Sequence, residues 1–353
     1  MYIPTTVHVT PLATIRRERL LPQPGYVLVA DGERVEAATV VAKTEIYSRH
    51  YFFDLTQRLN VPLDQAEKHV RVQPNNAIEK REIIAQRAGL FGPKTVRAPA
   101  KGTVVEVKNG KVLFAVTGPE LEVKAGFPGV VVSLNPDWGV MIETPGALVQ
   151  GVWGTGKQEY GLLKMLVNDP TQPLSPELLD PSCAGAIVMA GLADDKALRL
   201  AESVKIRGLI VGGLSSALLR LARSLSFPTL VVEGFGKQMM SAQAWTLLAD
   251  HNGREVFLDT RPVDRWEGRR PEVIIPLPHP GGTVALPADG QALSEGKRVR
   301  VTRAPYSGAL GTLTHLPERM AVLPSGVQAP VAQVELDGQG SVTVALANLE
   351  IYE

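Results

Sequence analysis

The sequence predicts a multidomain α+β protein: a duplicated β-rich unit, a small parallel α/β domain and a C-terminal β barrel. Three observations predict it. A short motif recurs inside residues 1–167. Past the proline-rich stretch 168–181 the pattern changes from closely spaced β-branched strands to apolar strands alternating with helical segments. Residues 296–353 then return to short alternating strands. A length of 353 residues agrees with two or three domains.

Composition excludes several classes of function. With 37 Lys+Arg against 36 Asp+Glu, the net charge of +1 gives no global field to select a partner. The single cysteine, Cys183, excludes a disulfide framework and a multi-cysteine zinc site. His8, His50, His69, His251, His279 and His315 never fall at the i, i+4 spacing of a helical metal site, so no metal and no cofactor are expected. Met1–Thr6 lacks the basic start and apolar core of a signal peptide. No run approaches the roughly 18 apolar residues of a spanning helix. The expectation is a cytoplasmic chain with a reduced thiol and no membrane partner.

The first region, 1–167, is rich in Val, Ile, Thr and glycine turns. Within it Val35-Glu-Ala-Ala-Thr-Val40-Val41-Ala42 matches Ile78-Glu-Lys-Arg-Glu-Ile83-Ile84-Ala85, the mark of one supersecondary unit used twice. The first copy follows Gly32-Glu33; the second leads into Ala98-Pro99-Ala100-Lys101-Gly102-Thr103-Val104. These residues resemble the barrel-sandwich hybrid of lipoyl and biotinyl carrier domains, which implies a duplicated β barrel. That family displays a modified lysine on a tight hairpin. Here the place falls near Ser48, and Lys43 is off register, so the resemblance implies the barrel without its lipoate or biotin. Asp54–Glu67, with Leu55, Leu59, Leu63 and Ala66 at helical spacing, is expected to insert as one or two short helices over about 54–68. Gly151–Lys157 fits a phosphate-loop pattern, but Gln158 stands where a magnesium-holding hydroxyl is needed, so a glycine-rich β turn is expected.

Residues 168–181 read as a linker, and 182–275 as the parallel α/β domain. Strands are expected at 186–190, 208–211, 229–232 and 255–258, with helices over 194–204, 215–225 and 239–251. Ligands of such sheets bind beyond the carboxyl ends of the strands. The candidate ligand-binding residues are therefore Gly191, Gly212, Gly213, Ser215, Ser216, Glu233, Gly234 and Gly236, where hydroxyls and free N–H groups at a helix start can hold a small anion or nucleotide. Gly213–Ala217 also has the strand-to-helix setting of a nucleophile elbow, but Ala217 replaces its second glycine. Its partners would be Asp259 or Asp264 with His279, which sits between prolines; no catalytic residue is assigned. Gly208–Val232 resembles the swivelling phosphohistidine domain, with Ser216 and Ala217 where the histidine belongs. Asp264-Arg265-Trp266-Glu267-Gly268-Arg269-Arg270-Pro271 is the densest charged cluster; its arginines suit a phosphate, while Asp264 and Glu267 suit an internally paired turn.

Residues 276–295 read as an extended linker. From Gly296, the alternating Val299 and Val301, the Pro305-x-x-Gly308 turn and Gly311 resemble the KOW motif that opens an SH3-like barrel in transcription elongation factors and ribosomal proteins. The resemblance implies docking through Arg298, Arg300, Arg303 and Tyr306, to a protein first and to nucleic acid second. Glu318, Glu335, Asp337, Glu350 and Glu353 hold the electrostatic attraction for nucleic acid to a modest level. All three resemblances lack the residue that performs chemistry. The function expected is a non-catalytic binding or scaffold protein, an accessory of transcription or translation machinery, with self-assembly open to its sheet edges. The alternative is an enzyme or sensor that binds a small anion or nucleotide on the glycine and serine loops of the middle domain.

Overall fold

Strand accounts for 48% of the chain and helix for 15%, distributed over several sheets, none of them closed into a barrel among the described residues. The computed structural model describes residues 5–89, 92–264, 268–278, 284–288, 290–317 and 320–353. Met1–Pro4, the Arg265–Glu267 centre of the charged cluster, His279–Gly282 and Glu318 lie outside the described residues.

The N-terminal region contains β1 (Thr6–Val7), β2 (Val9–Leu20), β3 (Tyr26–Val27), β4 (Arg34–Val35), β5 (Val40–Asp54), α1 (Leu55–Leu59), α2 (Leu63–Ala66), β6 (Ala77–Ile78), β7 (Ile83–Arg87), β8 (Lys94–Arg97), β9 (Gly102–Lys108), β10 (Lys111–Lys124), β11 (Gly129–Asn135) and β12 (Gly139–Gln150). Both copies of the repeated motif form the same turn. The Glu36 amide donates to Thr39 Oγ1 at 3.0 Å, and the Glu79 amide to Glu82 Oε2 at 2.9 Å. The carbonyls of Thr39 and Glu82 accept from Ala125 and Ala98 at 2.8 and 2.9 Å. Val35 pairs with Gly129, and Ile78 with Gly102. Each copy therefore consists of a motif and a later Ala-x-x-x-Gly segment, and the second copy (78–102) lies wholly between the two halves of the first (35–129).

The two copies have separate cores. Val35, Val41, Phe127, Val131 and Ile142 belong to one; Phe53, Leu55, Ile78, Ile84, Val104 and Phe114 belong to the other. Joining them is the antiparallel β5–β10 ribbon. Midway along it Glu45, Tyr47, Ser48, Arg49 and His50 are exposed, and the register slips at Gly118-Pro119. Proline has no N–H for the ladder, so a bulge accommodates it. In the distal unit, residues 51–116, α1 starts on an Asp54 cap whose carboxylate accepts from Thr56 and Gln57 N–H.

The next elements are β13 (Trp153–Gly154), β14 (Gln158–Met165), β15 (Pro173–Leu174), β16 (Ile187–Ala193), α3 (Asp195–Val204), β17 (Gly208–Leu214), α4 (Leu219–Ser224), β18 (Thr229–Phe235), α5 (Ala242–Asp250), β19 (Glu255–Asp259) and β20 (Glu272–Pro276). Strands β18, β17, β16 and β14 lie side by side and parallel. Successive residues face opposite sides. Val188, Ala190, Leu209, Val211 and Val231 meet α3 and α4, whereas Ile187, Met189, Ile210, Leu230 and Val232 meet α5. The sheet does not stop there. β14 also pairs with β19, β19 with β20, β20 with β12, and β12 with β2 and β11, giving a 12-stranded sheet that runs into the N-terminal region. The stretch read as a linker at 168–181 contributes β15 to it, with Leu174 and Leu179 buried.

The last elements are β21 (Arg298–Val301), β22 (Leu310–His315), β23 (Ala321–Val322), β24 (Gln328–Ala329), β25 (Val331–Leu336), β26 (Gly340–Ala345) and β27 (Leu349–Tyr352). Instead of a closed SH3-like barrel they form an open sheet, ordered β1-β27-β21-β22-β25-β26, and a separate β23–β24 pair. Its terminal strand is taken from the other end of the chain: Thr6 and Val7 pair in parallel with Ile351 and Tyr352. No helix among the described residues is long and apolar enough to cross a membrane.

Candidate functional site

The chain itself covers part of the edge where a ligand of the middle sheet was expected. A Cβ on Gly212 would stand 2.5 Å from the Met240 amide nitrogen, and one on Gly213 would stand 2.6 Å from the Gln238 carbonyl oxygen. Segment 238–240 lies directly on the end of β17, and only glycine allows this approach. At the end of β16 the backbone N–H of Gly191 donates to Gln172 O at 3.1 Å, so the 168–181 segment covers it. Gly234 pairs with Gly213 across the sheet, and Gly236 turns the chain at φ 95°. Ser215 and Ser216 are exposed, and the Ser215 side chain caps nothing in the short turn that follows. Of the phosphate-loop lookalike, Lys157 Nζ donates to the Leu225 carbonyl, and a strand follows where a helix would be needed. Lys43 sits mid-strand in an ion pair with Glu120 at 3.1 Å, and Ser48 lies on the ribbon, not on a hairpin tip.

Glu233 and Arg300, assigned by sequence to different sites, meet each other. Arg300 is buried on the face of β21 opposite Val299 and Val301. Its Nη1 donates to Glu233 Oε2 at 2.8 Å and its Nε to Glu350 Oε1 at 2.6 Å. Arg270 donates to the other Glu350 oxygen at 2.8 Å. Glu233 also accepts the Ser241 amide at 2.9 Å, and Ser241 Oγ lies 2.6 Å from the Tyr352 hydroxyl. Burial works against the Arg300 charge, but the Glu350 and Glu233 carboxylates outweigh it and raise the guanidinium pKa. This network joins the C-terminal sheet to the middle sheet, and Arg300 has no surface left to offer a partner. Arg298 is forked to Asp337 at 2.6 and 3.0 Å, and that bond raises its pKa. Arg303 is exposed, and Tyr306 packs on the C-terminal core.

The open polar cavity lies elsewhere. A cleft of about 670 Å³ brings together Arg16 and Arg17 from β2, Arg261 after β19, and Arg269 and Arg270 before β20. Each is oriented by a carboxylate. Arg17 forks Glu272 at 2.5 and 2.7 Å, and Arg261 Nη2 reaches Asp259 at 2.6 Å. Arg16 meets Glu143 at 2.5 Å, and Arg269 meets Asp264 at 3.7 Å. Gln150 accepts the His8 amide at 3.1 Å and donates to Glu272 at 3.3 Å, fixing the floor of the cleft. Sequence reasoning singled out only the 264–271 cluster. The pairing of β2 and β20 with β12 brings in Arg16 and Arg17 from more than 240 positions away, and no local pattern signals it. Among the described residues, no group of three or more His, Cys, Asp or Glu is placed to hold a metal ion.

Compared with protein-family models and with curated proteins, the chain matches none.

Proposed function

We propose that this protein is a binding or scaffold protein that acts by displaying its second carrier-like β unit as a docking unit, and that its KOW-like C-terminal sheet and first carrier-like β unit serve as framework. The observation that carries the reading is the nested duplication. A unit with its own core is held on an exposed two-stranded ribbon, whose other end packs against the 12-stranded sheet. The partly covered carboxyl edge of the middle strands and the buried Arg300 network fit a rigid base for that display. Copurification of the full chain at mild salt, followed by crosslinking mass spectrometry, tests it. Crosslinks to a macromolecular partner concentrated on residues 45–116 support display; recovery of no partner sinks it.

The arginine-lined cleft favours a second reading, a small anion ligand, with the site moved from the glycine and serine loops to residues 16–17, 261 and 269–270. Guanidiniums held rigid from behind by carboxylates present planar donors to phosphate or carboxylate. A thermal-shift series with phosphate, pyrophosphate, nucleotides and di- and tricarboxylates decides. A saturable rise abolished by Arg261→Gln and untouched by Ser215→Ala with Ser216→Ala supports the cleft. A flat series removes it.

A further inference from the structure

Charge is segregated along this chain. Residues 51–116 hold eleven Lys and Arg against six Asp and Glu, a net +5 within a chain of 37 against 36, which leaves −4 for the remainder. Ten of the eleven cations are exposed; Arg87 is the half-buried one. Among the described residues only Lys101 has a carboxylate within salt-bridge distance, Glu79 at 4.0 Å with both side chains exposed. The C-terminal sheet shows the opposite pattern, with Arg298 and Arg300 both paired to carboxylates.

The cations gather on one part of the distal unit. The turn Glu79–Glu82 lies against Ala98: the Arg81 amide donates to Ala98 O at 2.9 Å, and the Ala98 amide to Glu82 O at 2.9 Å. Arg97 Nη1 donates to Arg81 O at 2.9 Å, which brings Arg97 beside Lys80 and Arg81. Lys94 begins the same strand as Arg97, opposite Arg87 on β7. Lys101 follows Ala98 and reaches back to the turn through Glu79. Lys80, Arg81, Arg97 and Lys101 therefore cluster on one exposed turn, with Lys94 on the other face of the strand that carries Arg97.

We propose that the distal unit is a polyanion-binding head, and that its ligand is the phosphodiester backbone of nucleic acid, laid along the strip of Lys80, Arg81, Arg97 and Lys101. The proposal rests on the display reading and names the partner of the displayed unit. Exposed cations that outnumber the carboxylates beside them, here four against Glu79 and Glu82, are what backbone binding needs, since each phosphate neutralised releases condensed counterions. Binding to an anionic membrane would require exposed apolar side chains beside the cations. Among the described residues the exposed large hydrophobic side chains of the distal unit, Phe52, Leu63 and Val105, lie outside the segment 79–101 that carries the cations. The separate core and the ribbon carry this basic unit on a chain whose remainder is negative.

Fluorescence anisotropy of the full chain with a labelled 20-nucleotide single-stranded RNA, and with the same strand as a duplex, tests the proposal. The variant Lys80→Gln, Arg81→Gly, Lys101→Gln removes three charges and leaves the fold intact, because Arg81 holds φ 71°, where glycine is favoured. Binding at 50 mM salt is expected to weaken at least tenfold in this variant. The slope of log affinity against log salt should fall in magnitude by about 2 on the single strand. Lys108→Gln with Lys111→Gln, which leaves the strip intact, should change affinity less than threefold. Four outcomes overturn the proposal: no saturable binding at 50 mM salt, binding indifferent to the triple variant, binding lost instead with Arg298→Ala and Arg303→Ala, or retention on phosphatidylserine vesicles without oligonucleotide binding. Crosslinks to a protein partner on 45–116 together with absent oligonucleotide binding would leave the display reading standing and remove this one.

Discussion

Arg300 of the C-terminal sheet donates to Glu233 of the middle sheet at 2.8 Å, with both side chains almost wholly buried. One residue lies at the start of the last sheet and the other at the carboxyl end of a parallel strand. Their contact ties the C-terminal sheet to the middle sheet.

Replacing Arg300 by Met leaves Glu233 without its cation and Glu350 with Arg270 alone. The expected loss is about 3–5 kcal/mol, the range for breaking one side of a buried pair. Arg300→Met combined with Glu233→Gln should recover part of it. Urea denaturation of the two single variants and the double variant measures the coupling.

Gly213 and Gly234 pair with each other yet should respond differently to the same change. A Cβ on Gly213 meets a backbone oxygen at 2.6 Å, whereas on Gly234 the nearest atom is the Gln238 Cγ at 3.5 Å. Gly213→Ala is expected to cost about 1–3 kcal/mol by overpacking, and Gly234→Ala to be neutral or slightly stabilising. Melting temperatures of the two variants check the contrast.

The duplicated turns offer a paired experiment. Thr39→Ala and Glu82→Ala each remove the acceptor of an equivalent amide, at a cost of about 1 kcal/mol. Because the two cores are separate, hydrogen exchange should accelerate at Val41 and Val131 in the first variant and at Ile84 and Val104 in the second. Equal acceleration in both units would contradict independent cores.

Tyr352 gives a pH dependence with a definite sign. Burial, and then the Glu233 charge, push its phenol pKa upward, against the bond with Ser241 that lowers it. A folded pKa above the unfolded one stabilises fully below the unfolded value, near 10, and that stability is lost as pH rises toward the folded value. Stability measured between pH 9 and 11 should decline, and Tyr352→Phe should flatten the decline. Absorbance at 295 nm should show Tyr352 ionising above the ordinary phenol range.

Much of the architecture was legible. The apolar runs Ile187–Ala190, Leu209–Val211 and Leu230–Val232 read as strands because each is continuous and β-branched, and they are strands. The helix expected over 194–204 is α3, and the Asp194 carboxylate caps it by accepting from the Ala197 amide at 2.8 Å. The helix expected over 215–225 is shorter, because β17 runs on to Leu214 and a 3₁₀ turn precedes Leu219. Of the candidate site residues, the glycines were recognised as special, but what approaches them was not.

The sequence by itself determined the elements and the repeat, since period-2 alternation, capping residues and glycine turns act within a few positions of each other. Only the tertiary structure decided that one repeat is nested inside the other and that Pro170–Gln172 and Gln238–Met240 close the middle strands. It also decided that Arg300 faces inward onto Glu233, 67 positions away. Strand edges and ends accept any partner that satisfies their hydrogen bonds and excludes water. Which partner arrives is settled by the packing of the whole chain, and no local pattern carries that information.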